Sequence, residues 1–271
     1  MENWAGRILL ALLTVGVAIG VYCLFEFLAP RYVAGSTVST TPFTLKLETY
    51  SFVDNPGGEL TSIETEARKS DGTTVMVSNI GGEIGLAAGH MGRKITFMDG
   101  RVVTLLDPIA AKESWPRLST EAIAGMKERL LHPPSNCVLP NYTLVRYESV
   151  LGHPTAVIRP PGVPGEVWTW WEAPELGCQI LRYQTQVKEL DGSLRLKVDG
   201  RPVSLEIGEP DPTLFAIPEN YREMAPSVAN RLDAEQLGIT VTDEMEKQFA
   251  HSDDAYYGRG RFAQPRIAQP K

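Results

Sequence analysis

Residues 187–207 read VKELDGSLRLKVDGRPVSLEI, and this stretch decides the fold class. Two Asp-Gly pairs, at 191–192 and 199–200, each stand between runs in which apolar and polar residues alternate. Asp-Gly accepts positive φ at both central positions of a tight turn, and alternation with a period of two is typical of a half-buried strand. The stretch therefore predicts a three-stranded antiparallel meander with a turn at each Asp-Gly pair.

The same signals recur toward the N-terminus. Residues 44–50 alternate as a half-buried strand does, and Asp-Gly pairs at 71–72 and 99–100 predict two further hairpins. Several hairpins in succession indicate an extensive antiparallel sheet.

Two helices interrupt the β pattern. The first has Ser119 or Thr120 as its cap and ends at Leu131, shortly before a Pro-Pro pair. The second begins near Pro226 and ends before Gly238. We therefore expect an α+β domain in which two helices pack on a largely antiparallel sheet.

A long apolar segment precedes this domain. Residues 8–29 read ILLALLTVGVAIGVYCLFEFLA, with Glu26 as the one charge. Such a helix is ~33 Å long, enough to cross a hydrocarbon core of about 30 Å. The alternative is a signal peptide cleaved near 33–35, but the apolar core of a signal peptide is only about 7–15 residues long. The expected organisation is a cytoplasmic N-terminus (1–7), a transmembrane anchor (8–29), an extracytoplasmic β-rich domain (30–240) and a polar, flexible tail (241–271).

The predicted anchor contains a small-residue motif. Gly16 and Gly20 are four residues apart, a spacing that lets a second transmembrane helix approach closely. Integral-membrane protein partners are one interpretation; the other is coincidence, because Gly is common in membrane spans.

The cysteines bear on orientation. Cys23 lies in the predicted anchor, which leaves Cys137 and Cys178 as a pair in the domain. A disulfide between them requires an oxidising compartment, with the C-terminal domain outside the cytoplasm. The alternative is two unrelated buried thiols.

Composition and motifs exclude several classes of function. Lys and Arg number 26 against 33 Asp and Glu, so no basic surface for nucleic acid is expected. The Gly-rich stretch 81–92 lacks both phosphate-binding spacings, and the four histidines are isolated from one another. No zinc, haem or hydrolase motif is present. We therefore expect no cofactor, no metal and no enzymatic activity.

The densest aromatic feature is residues 167–171, VWTWW. On a strand, Trp168 and Trp170 point to one side and Trp171 to the other. These rings either line a site for an apolar ligand or fill the core.

Two segments of the sequence resemble segments of known proteins. WEAPELGC at 171–178 and FAIPENY at 215–221 are similar to segments of bacterial envelope proteins placed near the lipoprotein-carrier-like fold of the LolA, LolB and RseB group. Over residues 41–225 the resemblance implies a curved antiparallel sheet, an incomplete barrel, whose open side is plugged by helices around a hydrophobic cavity. The chain departs from the group in its expected retained anchor and in having no lipobox cysteine after the apolar run, so a shuttle is not expected.

These observations lead to two expectations for function. The first is a non-catalytic domain, tethered to the bacterial inner membrane by a single span and facing the periplasm, that binds an apolar ligand (lipid or lipoprotein-like) or a protein partner. The second is an accessory or structural subunit of a larger membrane complex, held through its transmembrane helix and its soluble domain.

Overall fold

The computed structural model describes residues 40–79, 86–132 and 136–256. The predicted anchor, with Gly16 and Gly20, lies outside these residues, as do the predicted cytoplasmic N-terminus and the end of the predicted tail. None of the helices in the described ranges combines the length and the apolar character that a membrane span needs. The anchor therefore stays a prediction from the sequence.

Twelve strands in the described ranges form one sheet, in the order β12-β6-β5-β4-β3-β2-β1-β11-β10-β9-β8-β7. The strands are β1 (Phe43–Ser51), β2 (Glu59–Arg68), β3 (Thr74–Asn79), β4 (Met91–Thr96), β5 (Val102–Leu106), β6 (Ala111–Trp115), β7 (Thr143–Val150), β8 (His153–Arg159), β9 (Glu166–Ala173), β10 (Gln179–Lys188), β11 (Leu194–Ile207) and β12 (Arg222–Glu223).

The sheet consists of two meanders. β1 pairs with β2 on one side and β11 on the other, so it joins strands β1–β6 to strands β7–β11. Every pairing is antiparallel except the short one between β12 and β6. β7 and β12 stand at opposite ends, so the sheet is open, as the sequence predicts.

Three α-helices whose bounds fall within the described residues accompany the sheet: α1 (Thr120–Leu131), α2 (Pro226–Gln236) and α3 (Asp243–Tyr256). The first two confirm the predicted helices, and the Ser119 hydroxyl accepts the Ala122 amide at 3.1 Å as the cap of α1. The third lies within residues 241–271, for which the sequence predicts a polar, flexible tail, and that domain assignment stays a prediction. Met245 and Phe249 of α3 are one helical turn apart and pack against α2.

Helix α1 connects the two meanders. Ile123 packs against the turn between β4 and β5, where a Cβ placed on Gly100 would lie 2.5 Å from its Cδ1 atom. Leu130 reaches the turn that follows β9, with its Cδ2 atom 3.9 Å from a Cβ placed on Gly177. The helix therefore bridges parts of the chain that are distant in the sheet order.

Three of the four Asp-Gly predictions are confirmed: the pairs at 71–72, 99–100 and 191–192 lie in the turns β2–β3, β4–β5 and β10–β11. The fourth is wrong, because the pair at 199–200 lies inside β11, a single strand of 14 residues. The predicted three-stranded meander is thus the β10–β11 hairpin, followed by pairing of β11 with β1.

The core of the first meander lies on one face. The registers place Ala67, Val75, Ile95 and Val103 side by side across β2–β5, and all four are buried. The chain after β11 covers this row with four side chains: Leu214, Phe215, Ile217 and Tyr221. The apolar core of these strands lies on this face, so the alternate residues on the opposite face can be polar.

Candidate binding face

The opposite face of β2–β6 carries carboxylates. A second cross-strand row, in register order, consists of Glu66, Met76, Lys94, Thr104 and Glu113. Glu64, two residues before Glu66, lies on the same side. We call this surface, which carries Glu64, Glu66 and Glu113, the acidic face.

A polar cluster joins the acidic face to the second meander. The Tyr183 hydroxyl of β10 lies 2.6 Å from the Thr49 hydroxyl of β1, and the Gln179 amide donates a hydrogen bond to Glu66. Burial, and then the negative charge of Glu64, raises the pKa of Glu66 to about 7. Burial and these carboxylates also raise the pKa of the Tyr183 phenol. The cluster therefore contains a proton that titrates near neutral pH.

Glu113 is the most buried carboxylate of the acidic face, with 4% of its surface exposed. Burial raises its pKa to about 7, and Asp253 and Glu223 add to the effect. Within the described ranges, neither Glu113 nor Glu64 nor Glu66 forms an ion pair. A cation supplied by a ligand would therefore stabilise their ionised forms.

Two of the cavities in the described part of the chain bear on ligand binding. A cleft of about 40 Å³ on the acidic face is lined by Glu66, Met76, Lys94 and Gln179, among other residues. A groove of about 310 Å³ lies between Arg222 and helix α2. Sites for drug-sized apolar ligands are about 300–1,000 Å³, so the cleft is too small for an acyl chain.

The tryptophans of β9 pack among other side chains. Trp168 stacks on Trp170 with ring centroids 6.4 Å apart, and Tyr142 meets Trp170 edge-on at 6.0 Å. Trp171 donates its indole hydrogen bond to Glu148, on the other side of the strand. Other residues line the two cavities, so the predicted role of these rings as a ligand lining stays a prediction.

The disulfide prediction is confirmed. Cys137 and Cys178 are bonded, with Cα atoms 5.4 Å apart. The bond ties the segment after α1 to the turn between β9 and β10. The carboxylate of Glu172 lies beside it, and its nearest oxygen and both sulfurs are within 4.8 Å of one another. Because the sulfurs are bonded to each other, these three residues are not a metal site in this oxidation state.

The sequence analysis missed Glu64, Glu66, Glu113 and Glu172. In β2 the residues at alternate positions 62, 64, 66 and 68 are all polar, which a period-two pattern assigns to solvent. The position of Glu172 could have been predicted from the sequence. It follows Trp168 and Trp170 at a spacing of two residues, so it lies on their side of the strand.

Exposed apolar side chains occur on the edge strand β7. Leu144, Val145 and Tyr147 are all exposed, and β7 pairs only with β8 among the described strands. An edge strand offers unpaired backbone groups to an added polypeptide strand. This edge is a second surface suited to a protein partner.

No protein-family model and no curated protein sequence matches this chain. Among solved structures, it is similar to an uncharacterized conserved protein from Thermus thermophilus, with 8% identity, a TM-score of 0.39, and 68% of this chain and 90% of that one covered. It is also similar to the MucA/MucB complex of Pseudomonas aeruginosa, with 10% identity, a TM-score of 0.31, and 70% and 60% covered.

A third similar structure is a domain from Vibrio parahaemolyticus named for outer membrane lipoprotein sorting, with 8% identity, a TM-score of 0.29, and 64% and 89% covered. The TM-scores are all below 0.5, so the function of this chain is argued from its own residues.

Proposed function

We propose that this chain is a non-catalytic domain of the bacterial cell envelope that binds a polypeptide partner through its acidic face. The predicted span at 8–29 would hold it at the inner membrane, and the Cys137–Cys178 bond supports an oxidising compartment such as the periplasm. The acidic face carries the proposal: in the described ranges its three carboxylates form no ion pair, and one of them, Glu66, lines a cleft that is too small for a lipid chain.

The charge of the face favours a partner with basic side chains. Carboxylates that are poorly hydrated gain most from a cation that arrives with the ligand, because the local dielectric constant is low. A Lys or Arg side chain also has an apolar stem, which suits the contact with Met76 and Phe43 at the cleft. A fatty acyl chain offers no cation or hydrogen-bond donor to Glu66 and would only add to the desolvation of its carboxylate.

Site-specific photo-crosslinking in cells tests the proposal. Benzoylphenylalanine replaces Thr96, which lines the cleft, in the full-length chain; the control replaces Leu190, a fully exposed residue of the β10–β11 turn. We expect polypeptide adducts from position 96 that are absent from position 190. The adducts should be at least tenfold weaker when Glu66 and Glu113 are both changed to Gln, roughly the loss of one charge-assisted contact. Lipid adducts at position 96, or polypeptide adducts indifferent to the Gln changes, would overturn the proposal.

A further inference from the structure

The disulfide has an unusual neighbour. Cys137 is 1% exposed, Cys178 is half-buried, and the Glu172 carboxylate beside them is 5% exposed. Within the described part of the chain, the carboxyl group of Glu172 makes no hydrogen bond or ion pair. Both sulfur atoms of the disulfide therefore lie close to a buried carboxyl group.

Burial favours the protonated form of this acid at neutral pH. Burial raises the pKa of Glu172 to about 8, and Arg129 in the last turn of α1 opposes the effect only in part. The other titratable group that faces it is the Tyr142 phenol, whose pKa is itself raised to about 12 by burial and by Glu172. Beside the disulfide there is thus a neutral carboxylic acid, which is a proton donor.

A proton donor of this kind assists thiol–disulfide exchange at the step in which the sulfur–sulfur bond breaks. The reaction begins when a thiolate attacks one sulfur, and the other sulfur leaves as a thiolate whose proton affinity sets the rate. A proton delivered to the leaving sulfur lowers the barrier by general acid catalysis. Both cysteines also have left-handed backbone conformations, φ 56° at Cys137 and 62° at Cys178, which L-residues rarely adopt and which the opened bond would let them leave.

We propose that Cys137–Cys178 is a thiol–disulfide exchange site for a dithiol reductant, with Glu172 as its proton donor and acceptor. One thiolate of the dithiol attacks the sulfur of Cys178, the less buried of the two residues; the Cys137–Cys178 bond breaks, and Cys137 leaves as a thiolate that takes the Glu172 proton. The second thiolate of the dithiol then attacks the mixed disulfide and releases Cys178, which takes a proton from water. The dithiol ends as a disulfide and the two cysteines as thiols; in the reverse reaction the Glu172 carboxylate takes the proton of Cys137.

Reduction would release a specific part of the chain. The segment 136–142 packs on Trp170 from one side of β9 and is tied there by Cys137. Opening the bond would free this segment and the end of α1 from the β9–β10 turn. The proposal does not depend on what the acidic face binds.

The test uses the full-length protein in detergent, with dithiothreitol as the dithiol and a range from about pH 6 to about pH 9. Thiols are counted by alkylation and intact mass, and each rate is divided by the thiolate fraction of dithiothreitol. We expect the corrected rate of the unmodified protein to fall as the pH rises through about 8, where Glu172 loses its proton. Glu172→Gln should be slower by about 10- to 100-fold below that pH, at the low end of general acid catalysis, with a flat profile.

Asp233→Asn is the matched control, because Asp233 is as buried as Glu172 but lies in α2, away from the disulfide and from the acidic face; its rates should equal those of the unmodified protein. A flat corrected profile for the unmodified protein would overturn the proposal without any variant, so the test survives a failure of Glu172→Gln to fold. Equal rates for Glu172→Gln and the unmodified protein would also overturn it, as would a bond that is reduced only in denaturant.

Discussion

Gly200 lies directly under the ring of Tyr183: a Cβ placed on residue 200 would be 2.3 Å from the Cε1 atom of that ring. The two residues are cross-strand partners in β11 and β10. Gly200 is therefore required by a close approach of a side chain within the sheet, and the Tyr183 hydroxyl can reach Thr49 across it.

This relationship predicts the effect of adding one methyl group. Gly200→Ala should lower the free energy of unfolding by about 1–3 kcal/mol, because the ring or the strand must move. The same substitution in a Tyr183→Leu background should cost less, since a smaller and more flexible side chain faces it. Urea unfolding midpoints of the four proteins form the cycle, and equal costs in both backgrounds would contradict the relationship.

A second prediction concerns pH and Glu113. The unfolded chain loses this proton near 4.5 and the folded chain near 7, so between these values the folded state binds more protons. The contribution of Glu113 to stability is thus present below about pH 4.5 and is lost as the pH rises to about 7. Glu113→Gln should raise the free energy of unfolding by about 1–3 kcal/mol at about pH 8.5, and should change it little at about pH 4.5.

The control for this prediction is Glu244→Gln, an exposed carboxylate of α3. Its effect on stability should be small at both pH values, as is usual for exposed ion pairs. A stabilisation by Glu113→Gln that is the same at both pH values would show that Glu113 does not titrate in this interval.

A third prediction concerns the disulfide as a covalent tie. The Cys137→Ser/Cys178→Ser double variant should lower the free energy of unfolding by about 2–4 kcal/mol, because the bond closes a loop across a separation of 41 residues. The reduced unmodified protein should show a loss of similar size. Urea unfolding that is unchanged by both treatments would mean that the bond does not form in the native protein.

A fourth prediction concerns the anchor. The predicted span at 8–29 should be retained in the mature chain, which should stay in the membrane pellet after carbonate washing. Gly16→Leu should weaken association with other membrane proteins without unfolding the soluble domain, because the larger side chain blocks close helix approach. Gly6→Leu, before the span, is the control. A mature N-terminus near Ser36 would show that the segment is a cleaved signal.

Local signals in the sequence predicted most of the sheet. Asp71-Gly72 and Asp99-Gly100 form turns because these residue types accept the positive φ angles of a tight turn without help from distant residues. The pair at 199–200 consists of the same two residues, but the glycine has a different role there. Gly200 leaves room for the ring of Tyr183 from another strand. No pattern within β11 distinguishes these two uses of glycine.

The acidic face and α3 show where sequence patterns fail. A carboxylate such as Glu66 normally indicates a solvent-facing position. Here β10 brings Gln179 over Glu66 of β2, although β1 and β11 stand between these two strands in the sheet. Helix α3 has few apolar residues, so its sequence resembles that of a polar tail. Its packing depends on the contacts of Met245 and Phe249 with α2. In both cases the decisive contact comes from residues distant in the sequence.

Native mass spectrometry of the full-length protein, released from detergent, tests the central claim most directly. The account predicts that the chain carries a polypeptide partner and no acyl lipid that survives removal of the micelle. It also predicts that the partner is lost from the Glu66→Gln/Glu113→Gln variant. One tightly held acyl lipid per chain, retained equally by that variant and without a polypeptide, would contradict the account.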